Sequence, residues 1–291
     1  MKHERRKIET PDGIELRAES WMPDEVRCVV VIAHGQGEHV GRYAPLAADL
    51  ESIGAWVLGP DHRGQGESGG KPGHIDSFDV YGHDLVQVMN TYAEEHPEAK
   101  PGVVPWFVYG HSMGGLITLN ALVADILPEW LRGVVLSAPL LRLAMQPPAF
   151  KVMLGKVAAF VMPGLTLPAE LDASHISRDP EVVKAYVEDQ RRVEVVSARW
   201  FQRMNEARQR VMDEASKITV PLYWYVGTGD QICDHEASVE TFAKLTAPED
   251  NDQTLQSFEG YYHELHNEPA ALRKPVVDSI RDWISARIDE F

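Results

Sequence analysis

Ser112 lies at the centre of a Gly-x-Ser-x-Gly motif, Gly110-His111-Ser112-Met113-Gly114, and a serine in this setting can act as a nucleophile. The motif follows the apolar run VVPWFVY (103–109) and precedes the helical pattern LITLNALVADIL (116–127). Glycines allow a sharp, strained turn that holds the hydroxyl at the end of the strand. A turn without a function is the alternative, but the strand and the helix on either side favour the nucleophile.

A serine nucleophile needs a general base, and the base needs a carboxylate that orients it. In proteins with this motif the chain order is serine, acid, histidine. Asp230 ends a glycine-rich turn after the apolar run PLYWYV (221–226), which makes it the candidate acid. Asp234 is the rival, but the residues after it predict a helix that Asp234 would cap.

Three histidines follow Asp230, and each is a candidate for the base. His235 falls in the first turn of a predicted helix. His263 and His266 share the segment EGYYHELHNEP (259–269), directly after the last predicted strand. His263 lies in a short loop that can fold back over the nucleophile, whereas His266 lies next to the expected start of the following helix. We therefore predict that His263 is the base and keep His266 as the alternative.

The reaction of an acyl group with a serine also requires donors for the oxyanion, each typically worth about 10²–10³ in turnover. The amide of Met113, the residue after the nucleophile, is one predicted donor. The second is expected from the glycine-containing loop HGQGEH (34–39) after the run CVVVIA, and the amide of Gln36 is our choice.

The surrounding pattern alternates strands with helices, which predicts an α/β fold with a mostly parallel central sheet covered by helices on both faces. A hairpin over 5–22 precedes this alternation. The last helix is predicted over PVVDSIRDWISARI, with Pro275 in its first turn. The predicted strands cover residues 28–34, 55–60, 103–109, 133–139, 221–226 and 253–259.

Residues 140–219 interrupt this alternation, with a mostly helical pattern and no clear strand. A loop of that length is uncommon in a compact domain, so we predict a helical cap inserted between two parts of the core, 1–139 and 220–291. The stretch PPAFKVMLGKVAAFVMPGL (147–165) is unusually apolar. It is either a cap helix packed on the core or a lid that makes transient contact with a membrane surface.

The composition excludes some classes of partner. A net charge of −16 argues against nucleic acid and anionic membranes. Two distant cysteines and a polar amino terminus without an apolar core region predict a reduced, cytoplasmic protein, with peripheral membrane contact as an addition. No apolar run approaches the ~20 residues of a transmembrane helix.

Two further patterns suggest ligands that the context does not favour. Gly64-Gln65-Gly66-Glu67-Ser68-Gly69 spells a dinucleotide fingerprint, but no helix is predicted to open on it, so a structural turn is expected. The pair His263 and His266, together with His34 and His39, could be read as metal ligands, but the spacing matches no metal motif. Cys233 is expected to be a buried structural thiol near the pocket.

The whole chain resembles the monoacylglycerol lipase family of α/β-hydrolases, and the resemblance covers nearly its full length. The family's triad falls on Ser112, Asp230 and His263, and its oxyanion donors on Gln36 and Met113. The matching segments are HGQGEHVGRY (34–43), DHRGQGESGG (61–70), GHIDSF (73–78), GHSMGGL (110–116), LSAPL (136–140), SRDPEVV (177–183), GDQICDH (229–235) and EGYYHELHNEP (259–269).

This resemblance implies a cofactor-free serine hydrolase that cleaves monoacylglycerols to glycerol and fatty acid beneath a helical cap. It also implies that Glu38, Arg42 and His266 lie near the glycerol end of the pocket. Gln36, where relatives often have a smaller or apolar residue, and the cap segment Glu188-Asp189-Gln190-Arg191 depart from the family pattern. The alternatives are a lysophospholipase or broad medium-chain carboxylesterase with the same triad, and a non-catalytic lipid-binding protein.

Overall fold

Strands and helices alternate along most of the chain in the computed structural model, which describes residues 1–145, 158–169, 171–245 and 252–291. The strands are β1 (Lys2–Glu9), β2 (Glu15–Met22), β3 (Cys28–Ala33), β4 (Ala55–Pro60), β5 (Trp106–His111), β6 (Gly133–Ser137), β7 (Thr166–Pro168), β8 (Val195–Ser197), β9 (Leu222–Gly227) and β10 (Gln253–Phe258). The principal helices are α1 (Ala44–Leu50), α2 (Asp79–Glu95), α3 (Met113–Val123), α4 (Pro180–Glu188), α5 (Ala198–Glu214), α6 (His235–Phe242) and α7 (Ala270–Asp289).

The main sheet has eight strands in the order β1-β2-β4-β3-β5-β6-β9-β10. Within this sheet the two antiparallel pairs both involve the amino-terminal hairpin: β1 pairs with β2, and β2 pairs with β4. The remaining pairs are parallel. The chain passes from β3 to β4 on one side and then crosses to β5 on the other. Such a switch point is where open α/β sheets bind ligands at their carboxyl edge. The predicted α/β-hydrolase fold is confirmed.

Helices cover both faces of this sheet, and each face has its own apolar cluster. On one face α1 and α7 pack against the sheet, and on the other α2, α3, α5 and α6 do so. The strands β3, β4 and β5 are buried at every residue. Burial on both faces explains why these strands are continuous apolar runs instead of alternating patterns.

The last helix begins earlier than the sequence pattern predicts. It starts at Ala270, and Pro275 lies inside it instead of in its first turn. The carbonyl oxygen of Pro269 accepts hydrogen bonds from the amides of Leu272 (2.8 Å) and Arg273 (2.9 Å), which closes the first turn there. A proline within a helix removes one amide donor, but burial of the apolar face of α7 against the sheet stabilises the helix despite this loss.

The chain between β6 and β9 contains a short two-stranded ribbon as well as helices. β7 and β8 pair antiparallel there, although the sequence suggested no strand, because three-residue strands are too short to show alternation. Helix α5 packs on the core, and its Trp200 indole N–H donates to the hydroxyl of Tyr81 at 3.1 Å. The division into a core of 1–139 and 220–291 and a cap of 140–219 stays our prediction.

Part of the apolar stretch 147–165 falls outside the described residues, which resume at residue 158. In the described part, Phe160 is 88% exposed, Val161 67% and Met162 56%. These neighbouring side chains form an exposed apolar patch, which we call the 160–162 patch. None of the helices in the described ranges combines the length and apolar character needed to cross a bilayer.

Candidate active site

Ser112 sits at a strained turn between β5 and α3, the context that the motif predicts. Its backbone has φ 54° and ψ −116°, a left-handed conformation that is unusual for a residue with a side chain. A Cβ added at Gly114 would overlap the carbonyl oxygen of Ala33, so a glycine is required for α3 to approach the end of β3 this closely. The turn therefore presents Ser112 at the carboxyl edge of the sheet, next to the loop that follows β3.

Asp230 and His263 form a hydrogen-bonded pair in the buried interior. The ring nitrogen Nδ1 of His263 donates to Asp230 Oδ2 at 2.7 Å. The other carboxylate oxygen accepts from the amides of Ile232 (2.8 Å) and Cys233 (3.0 Å), which fixes its orientation. Because Nδ1 is the donor to the acid, Nε2 is the ring nitrogen that can act as a base.

Two neighbouring loops bring this acid and base together. They follow the parallel strands β9 and β10, so both start at the same edge of the sheet. The amide of Thr228 donates to the carbonyl of Phe258 at 3.0 Å, and the amide of Gly229 donates to that of Tyr261, also at 3.0 Å. These backbone hydrogen bonds hold the acid loop against the histidine loop.

The rival acid has the role that the sequence assigned to it. Asp234 is the N-cap of α6, where its side chain accepts from the amide of Glu236 at 3.0 Å. Its other oxygen pairs with Arg142 at 2.7 Å. His235 is the first residue of α6, as expected.

The environment of His263 favours its cationic form. Burial alone would lower the pKa of the imidazole, but the charge and hydrogen bond of Asp230 outweigh burial, and Glu264 and Glu38 act in the same direction. The pKa of His263 is therefore raised above its usual value of 6.5. A raised pKa makes the imidazole a stronger base, so it accepts a proton more readily than an unperturbed histidine does.

Cys233 is a buried free thiol beside these groups, as the sequence predicts. The Cys233 sulfur lies within 4.8 Å of the ligand-type atoms of both Asp230 and His263. Burial, and then the charge of Asp230, raise the pKa of the thiol well above its usual value, so the thiol is neutral. These groups have the donor chemistry of a metal site, but Asp230 already accepts two amide N–H groups and the His263 ring N–H.

The loop predicted to supply the second oxyanion donor packs directly on Ser112. A Cβ added at Gly35 would lie 3.3 Å from the Cβ of Ser112. Met113 is the first residue of α3, a position whose amide has no partner within the helix. The loop 34–39, which carries Gln36, and the start of α3 therefore face the same space beside Ser112.

Gln65 supports this loop, a role that the sequence gave no reason to expect. Its side-chain amide donates to Gln36 Oε1 at 2.9 Å, and its oxygen accepts from the amide of Gly37 at 3.3 Å. Gln65 lies in the stretch Gly64–Gly69, which forms a turn between β4 and α2 closed by a hydrogen bond from Gly64 N to Gly69 O (2.8 Å). The predicted structural turn is confirmed.

Glu38 and Arg42, which the resemblance assigned to the glycerol end, are buried in an ion network. Glu38 Oε1 accepts from the amide of Gly35 (2.5 Å) and the hydroxyl of Tyr43 (2.8 Å), and Oε2 accepts from Arg42 (2.6 Å). Arg42 also donates to both oxygens of Glu264. Glu264 was missed in the sequence, where its only signal is an acidic residue directly after the predicted base.

His266 is buried and differs from His263 in its surroundings. Its Nδ1 is 3.1 Å from the hydroxyl of Tyr109, and its ring stacks on Tyr43 with centroids 5.4 Å apart. Burial, and then the nearby His111, lower the pKa of His266 to about 3, so the ring is neutral. A contact between His266 and a glycerol group stays a prediction.

The other histidines of the metal interpretation have separate partners. His34 Nδ1 donates to the Gly35 carbonyl at 2.8 Å, and His39 Nε2 lies 2.7 Å from Asp189 Oδ2. Asp189 belongs to the cap segment that departs from the family pattern, so this hydrogen bond links the loop after β3 to residues beyond α4.

Comparison with known proteins decides the family. The family model described as "Serine aminopeptidase, S33" matches residues 24–270. The chain belongs to this family.

Relatives of this hydrolase include the monoglyceride lipase of Mus musculus, 32% identical over 281 residues that cover 95% of this chain and 89% of the relative. The monoacylglycerol lipase of Mycolicibacterium smegmatis is 33% identical over 279 residues, covering 95% of each chain. The crystal structure of the Paleococcus ferrophilus monoacylglycerol lipase matches with a TM-score of 0.78 at 31% identity, covering 99% of this chain and 100% of the other. The predictions of the family and of a serine hydrolase are confirmed.

Proposed function

We propose that this hydrolase cleaves the ester bond of monoacylglycerols and releases glycerol and a fatty acid through an acyl-enzyme on Ser112. The observation that carries the proposal is the 2.7 Å hydrogen bond between His263 and Asp230, beside a serine held at a strained turn. Similarity to monoglyceride lipases over 95% of the chain supports the substrate class.

In the acylation step, Ser112 Oγ attacks the ester carbonyl carbon while His263 Nε2 takes the hydroxyl proton. The resulting imidazolium is stabilised by Asp230, whose hydrogen bond also keeps the ring in the required tautomer. The carbonyl oxygen, now negatively charged, receives hydrogen bonds from the amides of Gln36 and Met113. When the carbon–oxygen bond to glycerol breaks, His263 returns the proton to the leaving alkoxide.

Water completes the cycle by attacking the acyl-enzyme. His263 takes a proton from the water, and the same amides stabilise the second oxyanion. Collapse of that intermediate releases the fatty acid and returns the proton to Ser112. Apart from the substrate and water, every group that reacts or stabilises charge in both steps is a side chain or a backbone amide of this chain.

A comparison of substrates tests the proposal. Initial rates are measured on 1-monooleoylglycerol, lysophosphatidylcholine and trioleoylglycerol, with Ser112→Ala as the control. We expect the highest kcat/KM on the monoacylglycerol and no activity above background in the alanine variant. A higher kcat/KM on lysophosphatidylcholine would show that the preferred substrate is a lysophospholipid and not a monoacylglycerol. Equal rates in the alanine variant would contradict the mechanism.

We also propose that the 160–162 patch makes transient contact with a lipid surface that holds the substrate. The support is its exposure, since adjacent large apolar side chains on a surface typically mark an interaction site. The triple variant Phe160→Ser/Val161→Ser/Met162→Ser should float less with phosphatidylcholine vesicles than the wild type. Val103→Ser, which removes an apolar side chain that is 49% exposed elsewhere, is the matched control. Unchanged flotation of the triple variant would contradict this contact.

A further inference from the structure

Arg42 bridges two buried carboxylates that belong to different parts of the active site. Its Nη1 donates to Glu38 Oε2 at 2.6 Å and to Glu264 Oε1 at 2.7 Å, and its Nη2 donates to Glu264 Oε2 at 2.8 Å. The Arg42 side chain is 11% exposed and those of both carboxylates 4%. This network is largely removed from solvent, so water screens the attraction between its charges only weakly.

One end of the network determines the position of the oxyanion loop. Glu38 accepts a hydrogen bond from the amide of Gly35, whose Cα faces the Cβ of Ser112. Gln36 follows Gly35 directly in the chain. A shift of the Glu38 carboxylate would therefore move the backbone that carries the proposed Gln36 donor.

The other end determines the position of the base. Glu264 follows His263 directly, and its amide donates to the carbonyl of Ile176 at 2.7 Å. Its Oε2 also accepts from the side-chain amide of Asn267 at 2.8 Å. The carboxylate is thus held by a guanidinium on one side and by its own loop on the other.

We propose that Arg42, held by Glu38 and Glu264, is a positioning residue that fixes the oxyanion loop relative to the catalytic histidine. The inference deepens the proposed function, since it rests on the roles given there to Gln36 and His263. It differs from a role in binding glycerol, because both carboxylates accept their hydrogen bonds from within the protein. A misplacement of about 1 Å between donors and base is enough to lower turnover by roughly 100-fold.

The first test is Arg42→Lys, which keeps the charge but cannot donate to both carboxylates with the same geometry. We expect kcat to fall roughly 10- to 100-fold on 1-monooleoylglycerol and on p-nitrophenyl butyrate alike, with a smaller change in KM. Arg63→Lys is the matched control, because Arg63 makes a similar two-point contact to the buried Asp84, at 2.6 Å for both bonds. Its other side-chain hydrogen bonds go to Asp12 and not to either loop.

The second test separates positioning from glycerol binding and from simple stability. If Arg42 holds the glycerol group, Arg42→Lys will raise KM for the monoacylglycerol and leave p-nitrophenyl butyrate hydrolysis unchanged, which would overturn the inference. If the network only stabilises the fold, Arg42→Lys and Arg63→Lys will both lower Tm with kcat unchanged, which would also overturn it. A wild type active on p-nitrophenyl butyrate but not on monooleoylglycerol would refute only the proposed substrate.

A third variant guards against misfolding. Removing one partner of a buried ion pair leaves an unpaired charge, whereas replacing both by apolar residues is often tolerated. Glu38 is the third member of the network and would keep an unpaired charge, so the variant also carries Glu38→Gln. We expect Arg42→Met/Glu264→Met/Glu38→Gln to be folded by circular dichroism and still slow on both esters. Glu264→Gln should also move the acid limb of the kcat/KM profile to lower pH, because Asp230, Glu264 and Glu38 are the carboxylates that favour protonated His263. A folded triple variant with wild-type kcat would refute the inference.

Discussion

His263 and Asp230 are joined by a 2.7 Å hydrogen bond, although 33 residues separate them in the chain. The contact exists because β9 and β10 are parallel neighbours whose following loops leave the sheet at the same edge. The same edge carries Ser112 after β5. Parallel strands thus place the proposed nucleophile, base and acid at one edge of the sheet without any of them being close in sequence.

Replacement of Asp230 by Asn should abolish most of the turnover and leave the fold intact. The amide no longer selects the tautomer that leaves Nε2 free, and we expect kcat to fall by about 10⁴. The matched control is Asp234→Asn, which alters the N-cap of α6 and should lower Tm slightly with kcat within a few-fold of wild type. A larger loss of kcat in the Asp234 variant would exchange the roles of the two acids.

The two histidines of the segment 259–269 should respond differently to substitution. His263→Ala removes the base and should lose nearly all turnover on every ester. His266→Ala removes a neutral ring next to Tyr109 and should mainly weaken the preference for glycerol esters over p-nitrophenyl esters. Steady-state kinetics on both ester types measure this, and a near-complete loss in the His266 variant alone would make His266 the base.

The pH dependence of catalysis should follow the raised pKa of His263. The base is active only when neutral, so kcat/KM should rise with pH and reach half its maximum above the usual histidine pKa of 6.5. A profile of kcat/KM on p-nitrophenyl butyrate at constant ionic strength measures this midpoint. A midpoint below 6.5 would mean that burial outweighs the carboxylates around the imidazole.

Stability should decrease as the pH falls below 6.5, for a reason independent of catalysis. Burial lowers the pKa of His34, His62, His111 and His266, so the unfolded state takes up protons that the folded state does not. Each such histidine costs at most about 1.4 kcal/mol of unfolding free energy per pH unit in this window. His263, whose pKa is raised, behaves in the opposite sense. Its stabilising contribution is complete below pH 6.5 and is lost as the pH rises above that value.

Urea unfolding at about pH 7 and about pH 5.5 measures this effect, because most carboxylates remain ionised in that range. His266→Gln keeps a polar group beside Tyr109 but cannot be protonated. We expect this variant to lose less stability than the wild type between the two pH values. An equal loss in both proteins would show that His266 is protonated in the folded state.

Gly114→Ala should damage both stability and catalysis. The added Cβ would overlap the carbonyl of Ala33 and push α3, with the Met113 amide, away from the loop after β3. Gly102→Ala is the control, because it imposes a left-handed φ of 86° on an alanine without any close contact. We expect a lower Tm in both variants, and a kcat lowered at least tenfold in Gly114→Ala alone. Wild-type kcat in that variant would contradict the predicted role of this turn.

Local patterns in the sequence were sufficient for the sheet and for the strand, turn and helix around Ser112. The β-branched run of β3 and the glycine-containing motif around Ser112 are each made of a few neighbouring residues. Both patterns can therefore be recognised without knowing any contact between distant segments. Asp234 was separable from Asp230 because an N-cap is followed by its own helix.

Features that depend on contacts between distant segments were not predictable from one sequence. Arg42 and Glu264 are 222 residues apart, and a charged residue on a loop is usually solvated. Gln65 lies in a glycine-rich turn, and that pattern predicts the backbone conformation but not the contacts of the Gln65 side chain. The start of α7 was misassigned because proline is typical of a first turn, whereas packing against the sheet allowed Pro275 to sit inside the helix.

Glycerol release from 1-monooleoylglycerol tests whether Ser112 is the nucleophile that cleaves this ester. The rate is measured for the wild type and for Ser112→Ala, with matching circular dichroism spectra and Tm values as the control for folding. We expect steady release by the wild type and release at the buffer rate by the variant. Release at the wild-type rate by folded Ser112→Ala, or none by the wild type, would contradict this expectation.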